Sequence, residues 1–374
     1  MAAYHDGGLT YRGRGPTYRG LARASARAAA TTLATGFAAG ALAGTWSLVE
    51  AKAYTLRRRT VLLDGTGVSA GARLRILHIS DVHLVARQRS KLRWIEGLAQ
   101  LRPDLIVSTG DMIAHPSALA PLLSALSPLS GTPGAFVFGS NDYYYPKLKN
   151  PLRYFSRDTS PDGRELDERQ QLPWPEMAVA FEQAGWLNLN NTRGRLSVGE
   201  WELDFVGVDD PHLGRDAFPP ARAWQAPDPQ AAGGAQVEGH GGFAPVAGSG
   251  EAHGREAGSG GLRIGVAHAP YARVLDTMVD DGCSLIFAGH THGGQICVPG
   301  KGALVTNCDM PTRLAAGMFE WPDPGEVIRY DGAAPQSRQR HAWVNVSAGL
   351  GTSPFSPIRL ACRPEATVLD VVAV

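Results

Sequence analysis

Cysteine, net charge and long apolar stretches are all scarce in this chain, and each shortage removes a class of function. Four cysteines among 374 residues form no C-x-x-C pair and follow no regular spacing. That excludes a zinc ribbon or a disulfide-stapled scaffold and leaves the redox compartment open. Charge of one sign is equally lacking, since 36 Lys+Arg against 35 Asp+Glu give a formal net charge of +1. No overall field exists for gripping nucleic acid, and no specific nucleic-acid binding is expected. What is present is a 44% hydrophobic composition over a length able to bury one large core or two smaller ones, which excludes a wholly disordered or fibrous protein. Gly 45 and Pro 26 exceed their average share and imply many loops or a low-complexity insertion.

Residues 1–27 carry Arg12, Arg14, Arg19, Arg23 and Arg27 against the single acid Asp6, the pattern of a flexible basic tail. From Ala28 to Val49 there is no charge, and Glu50 and then Arg57, Arg58 and Arg59 close the run. A helix over 28–50 is long enough to cross a bilayer. Its strongly apolar residues are only Leu33, Phe37, Leu42, Trp46, Leu48 and Val49. The expectation is a single N-terminal membrane anchor or uncleaved signal sequence at the cell membrane, with a cleaved export signal or a soluble Ala-rich helix as the other readings. Arginines flank both ends, so the side of the membrane stays open. No Arg-Arg pair precedes the run, which argues against twin-arginine export.

Beyond the anchor, residues 56–374 alternate short apolar runs with helical patterns. Leu74–His78, Leu105–Ser108, Ala135–Phe138, Leu262–Ala267 and Leu285–Ala288 are β-rich and bounded by turn residues, as buried strands are. Leu92, Ile95, Leu98 and Leu101, and then Leu119, Leu122, Leu123 and Leu126, recur as one helix face would. This β-α-β-α-β order predicts an α/β fold with a parallel sheet and right-handed crossovers. Trp186–Val208 reads as strands joined by a turn at Asn191–Gly194, and Trp343–Val374 gives two more strands. Residues 213–261, with Trp224 almost alone among large apolar residues, read as a disordered surface insertion. His240 and His253 inside it are taken as solvated.

The chemistry lies just after the apolar runs. They are followed by Asp81-Val82-His83, by Gly110-Asp111, by Gly139-Ser140-Asn141-Asp142, by His268 and by Gly289-His290-Thr291-His292. In an open α/β sheet the carboxyl ends of the strands line one edge, so these groups should converge on one crevice. Carboxylates, imidazoles and an amide without thiolate suit Mn, Fe, Zn, Co or Ni. There are more donors than one ion needs, and a carboxylate able to bridge, which implies two divalent ions about 3.5 to 4 Å apart. Such a pair makes a hydroxide available at neutral pH, and its natural electrophile is a phosphoryl centre.

Taken in this order, the motifs resemble those of the calcineurin-like metallophosphoesterases. Gly289-His290-Thr291-His292-Gly293-Gly294-Gln295 is similar to their bacterial membrane-associated branch. The resemblance covers roughly residues 56 to 374, insertion excluded. It implies a four-layer α/β/β/α sandwich. Asp81, His83 and His292 would hold one ion, Asp111 would bridge, and Asn141, His268 and His290 would hold the other. The implied activity is hydrolysis of a phosphodiester or pyrophosphate by a metal-bridging hydroxide, the substrate being amphiphilic or lipid-linked by analogy with that branch. A phosphomonoesterase or protein phosphatase is a rival reading.

One motif departs from the family. Ser140 stands where the family has its ligand Asn, and Asn141 where it has the His that helps protonate the leaving group. Either Asn141 ligates, or Ser140 offers a hydroxyl while Asn141 contacts phosphate oxygen; the amide oxygen is the better neutral ligand. Either way the usual acid is missing, so turnover should be slow, the leaving group good, or another acid in place. His212 in Asp209-Asp210-Pro211-His212 is the candidate substitute, against a loop histidine. Loss of turnover would leave a metal-binding scaffold of the same fold.

The other candidates read more plainly. His78, inside a strand, is expected to be a hydrogen-bonded core residue rather than a ligand, and His115, a helical turn after Asp111, to have a capping or surface role, with donation to a metal-bound group as the other reading. Lys147, Lys149 and Arg153 suggest a solvated loop or an anion-steering patch. Asn345-Val346-Ser347-Ala348-Gly349 only approaches a G-x-S-x-G elbow, with no later His to complete a triad. Cys283, Cys297, Cys308 and Cys362 read most simply as core or loop thiols, although Cys297 and Cys308 could pair if the domain is exported.

Overall fold

The computed structural model describes residues 31–32, 35–37, 40–146, 170–220, 261–322 and 341–374. The strands are β1 (Thr55–Leu63), β2 (Arg73–Ile79), β3 (Leu105–Ser108), β4 (Gly134–Phe136), β5 (Trp186–Asn188), β6 (Arg193–Val198), β7 (Trp201–Gly207), β8 (Leu262–Val266), β9 (Leu285–Ala288), β10 (Cys297–Val298), β11 (Gly302–Ala303), β12 (Gly317–Trp321), β13 (Ala342–Val346) and β14 (Glu365–Ala373). Two six-stranded sheets run β1-β14-β2-β3-β4-β5 and β12-β13-β9-β8-β7-β6. Within the first, β2 to β5 are parallel and β14 lies antiparallel to β2. Within the second, β7, β8, β9 and β13 are parallel, and β6 and β12 close the edges antiparallel.

The apolar runs are continuous because these strands are covered on both faces. Leu74 and Ile76 of β2 meet Phe205, Ile264 and Phe287 of the second sheet. The alternate Leu77 and Ile79 turn outward to Ile95 and Leu122, which lie in the helices Arg89–Glu96 and Leu119–Leu126. On the outer face of the second sheet the helix Ala272–Asp280 buries Val274, Leu275 and Met278 against Ile286 and Val344. The layers are therefore helix, sheet, sheet, helix, as the family resemblance implies.

Three local readings are refined. The turn expected at Asn191–Gly194 lies one residue or more earlier, because Arg193 already opens β6 and Asn191 takes the left-handed φ of 55°. It carries the chain from the first sheet to the second. Strand β1 escaped the apolar pattern because Arg57, Arg58 and Arg59 occupy its middle, exposed, as suits an edge strand. Residues 213–220 are ordered against the domain, with the Arg193 guanidinium donating to the Pro219 carbonyl (3.3 Å) and to Asp281 (2.6 Å).

The chain divides into a unit ending at Trp46 and a unit of Ser47–Val374. In the first, the described residues are helical, with Phe37 and Leu42 exposed. Among the described residues no helix is long and apolar enough to cross a membrane, and part of the expected span 28–50 lies outside them. In the second unit the Ser47 carbonyl accepts from Arg359 N (3.0 Å) and the Glu50 carboxylate from Ala361 N (3.0 Å). The basic tail 1–27, Lys147, Lys149, Arg153, His240 and His253 lie outside the described residues.

Candidate metal centre

Each chemical motif sits where a parallel strand ends, and the backbone there is bent sharply to aim it. Asp81 (φ 48°), His83 (42°), Asp111 (56°), His290 (68°) and His292 (51°) all occupy the left-handed region. For residues with a Cβ this is strained, and such strain collects at functional sites. Glycines make the room. A Cβ on Gly289 would fall on Ser80 Oγ and Asp81 Oδ2, and one on Gly139 would fall on Asp111 Oδ1 and the His268 ring.

Two groups of donors converge. Ligand atoms of Asp81, His83 and His292 lie within 4.8 Å of one another, as do those of Asp81, Asp111 and His268. Asp111 Oδ2 faces both groups, 3.4 Å from His83 Nε2 and 3.6 Å from His268 Nε2. His290 completes the cluster with Nδ1 3.3 Å from His268 Nε2.

Backbone carbonyls fix which nitrogen is free in three of the four imidazoles. His268 Nδ1 donates to the Thr109 carbonyl (2.6 Å), His292 Nδ1 to that of Gly351 (3.2 Å), and His290 Nε2 to that of Asn307 (3.1 Å). The opposite nitrogens then point inward, the usual arrangement behind metal-binding histidines. His83 Nδ1 is buried with no partner among the described residues.

The carboxylates are held by donors instead. Asp81 accepts from His290 N (3.0 Å) and Ser80 Oγ (2.5 Å). Behind it runs a buried hydrogen-bond chain. Asn345 Nδ2 meets His78 Nδ1 (2.8 Å), His78 Nε2 meets Thr109 Oγ1 (2.9 Å), and Thr109 donates to Ser80 Oγ (2.6 Å). His78 is thus the expected core histidine, and Asn345 belongs to this chain rather than to a nucleophile elbow. Asp142 accepts from the backbone N–H groups of Asp111 (2.6 Å), Met112 (2.7 Å) and Gly139 (2.9 Å), stitching two ligand loops together.

Burial sets the protonation states. It pushes His83 down to about 4, and His290 and His292 well below their usual value, so all three are neutral donors at neutral pH. Burial also opposes charge on His268, but Asp111, Asp210 and Asp81 outweigh it and hold its pKa up at about 9. Asp81 is raised to about 6 by desolvation. Burial would raise Asp111 too, yet the neighbouring His268 and His83 bring it below the ordinary carboxylate value. Neutral imidazoles aimed at carboxylates, with no thiolate among them, fit divalent ions with mixed oxygen and nitrogen preference.

Asn141 rests on the bridging candidate. Its backbone N and Nδ2 donate to the two Asp111 oxygens, 2.7 Å each, with Ser140 Oγ 3.3 Å from Nδ2. His212 is buried at the same place, its ring 4.4 Å from that of His290 and its Nδ1 3.2 Å from the Tyr271 hydroxyl. His115 lies apart, exposed, its Nδ1 accepting from Ser117 N (3.1 Å) as a cap. All four cysteines are free. Cys297 Sγ donates to the Gly293 carbonyl (3.2 Å), and Cys362 (3.5 Å) shares that carbonyl, as thiols rather than as a disulfide of Cys297 with Cys308.

Arg359 escaped the sequence reading. It is fully buried, and its Nη2 donates to the carbonyls of Ala348 (2.6 Å), Gly349 (3.1 Å) and Gly351 (2.6 Å), while Nη1 reaches that of His292 (3.3 Å). It therefore ties the His292 loop to the carbonyl that orients His292. A lone arginine between Ile358 and Leu360 was the only signal. Asp210 was likewise missed; it caps His212 N (2.8 Å) and is pushed up to about 7 by burial.

The chain is similar to several known proteins. Phosphodiesterase YaeI of Escherichia coli (strain K12) is 24% identical over 274 residues, 72% of this chain and 71% of the relative. TT1561 of Thermus thermophilus matches at 13% identity and a TM-score of 0.33, covering 75% of this chain and 91% of its own. The NAD nucleotidase NadN of Haemophilus influenzae matches at 12% and 0.34, covering 75% and 51%. The family model for calcineurin-like phosphoesterases spans residues 74–294, from the strand before Asp81 to the glycines after His292. Because that span takes in more than half of the sequence and all of the converging strand ends, the chain belongs to the calcineurin-like phosphoesterase family, hydrolases that act on ester bonds with the help of metal ions.

Proposed function

We propose that the protein is a dinuclear phosphodiesterase or pyrophosphatase acting on an amphiphilic, lipid-linked substrate at the cell membrane. The observation that carries this reading is the meeting of two donor groups at Asp81, with Asp111 facing both. Asp81, His83 and His292 would hold one ion, Asn141, His268 and His290 the other, and Asp111 would bridge. Bound there, the ions would supply Lewis acidity toward phosphoryl oxygens and a water acidic enough to attack phosphorus at neutral pH.

The chain's own residues do the rest. Thr109, Asn307 and Gly351 hold the imidazoles in the ligating tautomer. Asn141 packs on Asp111 where it can contact a phosphoryl oxygen. His212, next to His290, stands in for the missing histidine of the third motif as the group that hands a proton to the leaving oxygen, with Tyr271 orienting its ring. The diester reading is supported by the name of the Escherichia coli relative. A lipid-linked substrate and an N-terminal anchor are supported by the uncharged run from Ala28 to Val49.

The test is elemental analysis of the purified protein together with hydrolysis of bis-(p-nitrophenyl) phosphate before and after chelation. Activity should vanish with the metal and return with Mn. Asp111→Asn should lower hydrolysis at least about 100-fold and reduce bound metal. Unchanged hydrolysis and metal content in that variant would refute the bridging role. The Gly-Ser-Asn-Asp departure favours one other reading, a metal-binding scaffold without turnover, which predicts bound metal and no hydrolysis of any ester. Faster hydrolysis of a monoester than of a diester or pyrophosphate would instead favour a phosphomonoesterase.

A further inference from the structure

A recess of about 380 Å³ is lined by Lys52, Tyr54, Arg87, Arg89, Ser90 and Thr352 among others. Two of its walls continue the ligand loops. Arg87 to Ser90 follow the Asp81–His83 segment closely, and Thr352 follows Gly351, whose carbonyl orients His292. Lys91 anchors that wall from below, buried, its Nζ donating to the Val82 carbonyl (2.6 Å) between two ligands.

The recess is charged without a counter-charge. Arginines elsewhere in the domain meet carboxylates, as in Arg57–Glu365, Arg75–Asp370, Arg193–Asp281 and Arg215–Asp209. Lys52, Arg87 and Arg89 are exposed at the rim, no acid lines the recess, and among the described residues no carboxylate pairs with them. The helix Arg89–Glu96 starts here with no acidic residue in its first turn and no side-chain cap, so its N-terminal dipole adds to the same sign. Tyr54 is steadied against Trp94, ring centroids 5.7 Å apart, and its hydroxyl is hydrogen-bonded to that of Ser90 in the wall. Three cations and a helix start suit a phosphate group, whose oxygens can be met from several sides. The volume lies within the range of small-molecule sites.

We propose that this recess binds a second phosphate-bearing group while the scissile ester lies at the metals. That group is either a further phosphate of a soluble substrate or the headgroup of an anionic lipid. The proposal rests on the phosphodiester reading for the identity of the reaction, but binding in the recess does not need the metals.

The test therefore uses full-length protein stripped of metal by a chelator. Inorganic phosphate is titrated by calorimetry, and association with phosphatidylcholine vesicles, with and without phosphatidylglycerol, is measured by sedimentation. The combined variant Lys52→Ala, Arg87→Ala and Arg89→Ala is compared with wild type and with the charge-matched control Arg58→Ala, Arg59→Ala and Arg102→Ala. Phosphate binding should weaken by about tenfold or more in the first variant and by less than about twofold in the control. Loss of the phosphatidylglycerol-dependent part of the association in the first variant and not in the control assigns the recess to a lipid headgroup; an equal phosphatidylglycerol-dependent part in both variants assigns it to a soluble substrate. No loss of phosphate binding in the first variant, or equal loss in the control, overturns the proposal. Phosphate binding intact in a protein that hydrolyses no ester would sink the phosphodiesterase reading and leave the recess standing.

Discussion

The first sheet brings Asp81 and Asp111 to the metal centre, and the second brings His268, His290 and His292. The carboxylate half is gripped by donors, the N–H groups of His290 and Asn141 and the Ser80 hydroxyl, while the Asp142 carboxylate accepts from the N–H groups around Asp111. The imidazole half is gripped by acceptors, namely the carbonyls of Thr109, Asn307 and Gly351. Each sheet supplies part of the other's grip. His290 N holds Asp81, and the Thr109 carbonyl holds His268. A ligand set divided between two sheets thus stays oriented only while the sandwich is intact, and the sandwich is pinned at its edge by the ligands' own supports.

This difference can be pressed from both sides. The largest effect is expected on the carboxylate side, from Asp142→Ala. It orphans three buried N–H groups, each costing about 1–3 kcal/mol, so the protein should lose about 3 kcal/mol or more. A denaturant midpoint equal to wild type would show that the loops are not held this way. On the imidazole side, His212→Asn should leave bound metal unchanged and lower kcat by about 10² to 10⁴. The deficit should shrink for substrates with acidic leaving groups. A uniform deficit across leaving groups would remove His212 as the proton donor.

The smallest effect is one proton. His268 has its pKa raised to about 9 in the metal-free protein, so its protonated form dominates below that value. Ligation by Nε2 must expel that proton. Metal binding near pH 7.5 should release about one proton, and apparent affinity should climb about tenfold per pH unit until about pH 9, then level off. His83, already neutral because burial brings it to about 4, should add nothing. Calorimetry in buffers of differing ionisation heat checks this, and binding without proton release would exclude His268 as a ligand.

Much of the site was legible because strand ends advertise themselves. An apolar run buried on both faces must stop at a turn, and polar residues placed there, at Asp81, Asp111, His268 and His290, could point only along the carboxyl edge. The supports were not legible. Thr109, Asn307 and Gly351 act through main-chain carbonyls, which any residue possesses, and Arg359 reaches His292 across 67 positions of sequence. Strand β1 was hidden by its arginines, and the pairing of β14 with both β1 and β2 has no local signature. His212 was readable as a strand-end histidine, but only packing put its ring against His290.

The sequence alone determined the parallel core, the inventory of ligating side chains and the glycines that leave them room, because hydrophobic period and turn chemistry are local properties of the chain. Tertiary structure decided which nitrogen of each imidazole faces inward, which carboxylate faces both donor groups, and which cations are left without an acid. Those outcomes depend on distances between segments far apart in sequence, and Coulomb and hydrogen-bond energies are set by distance and burial rather than by order along the chain.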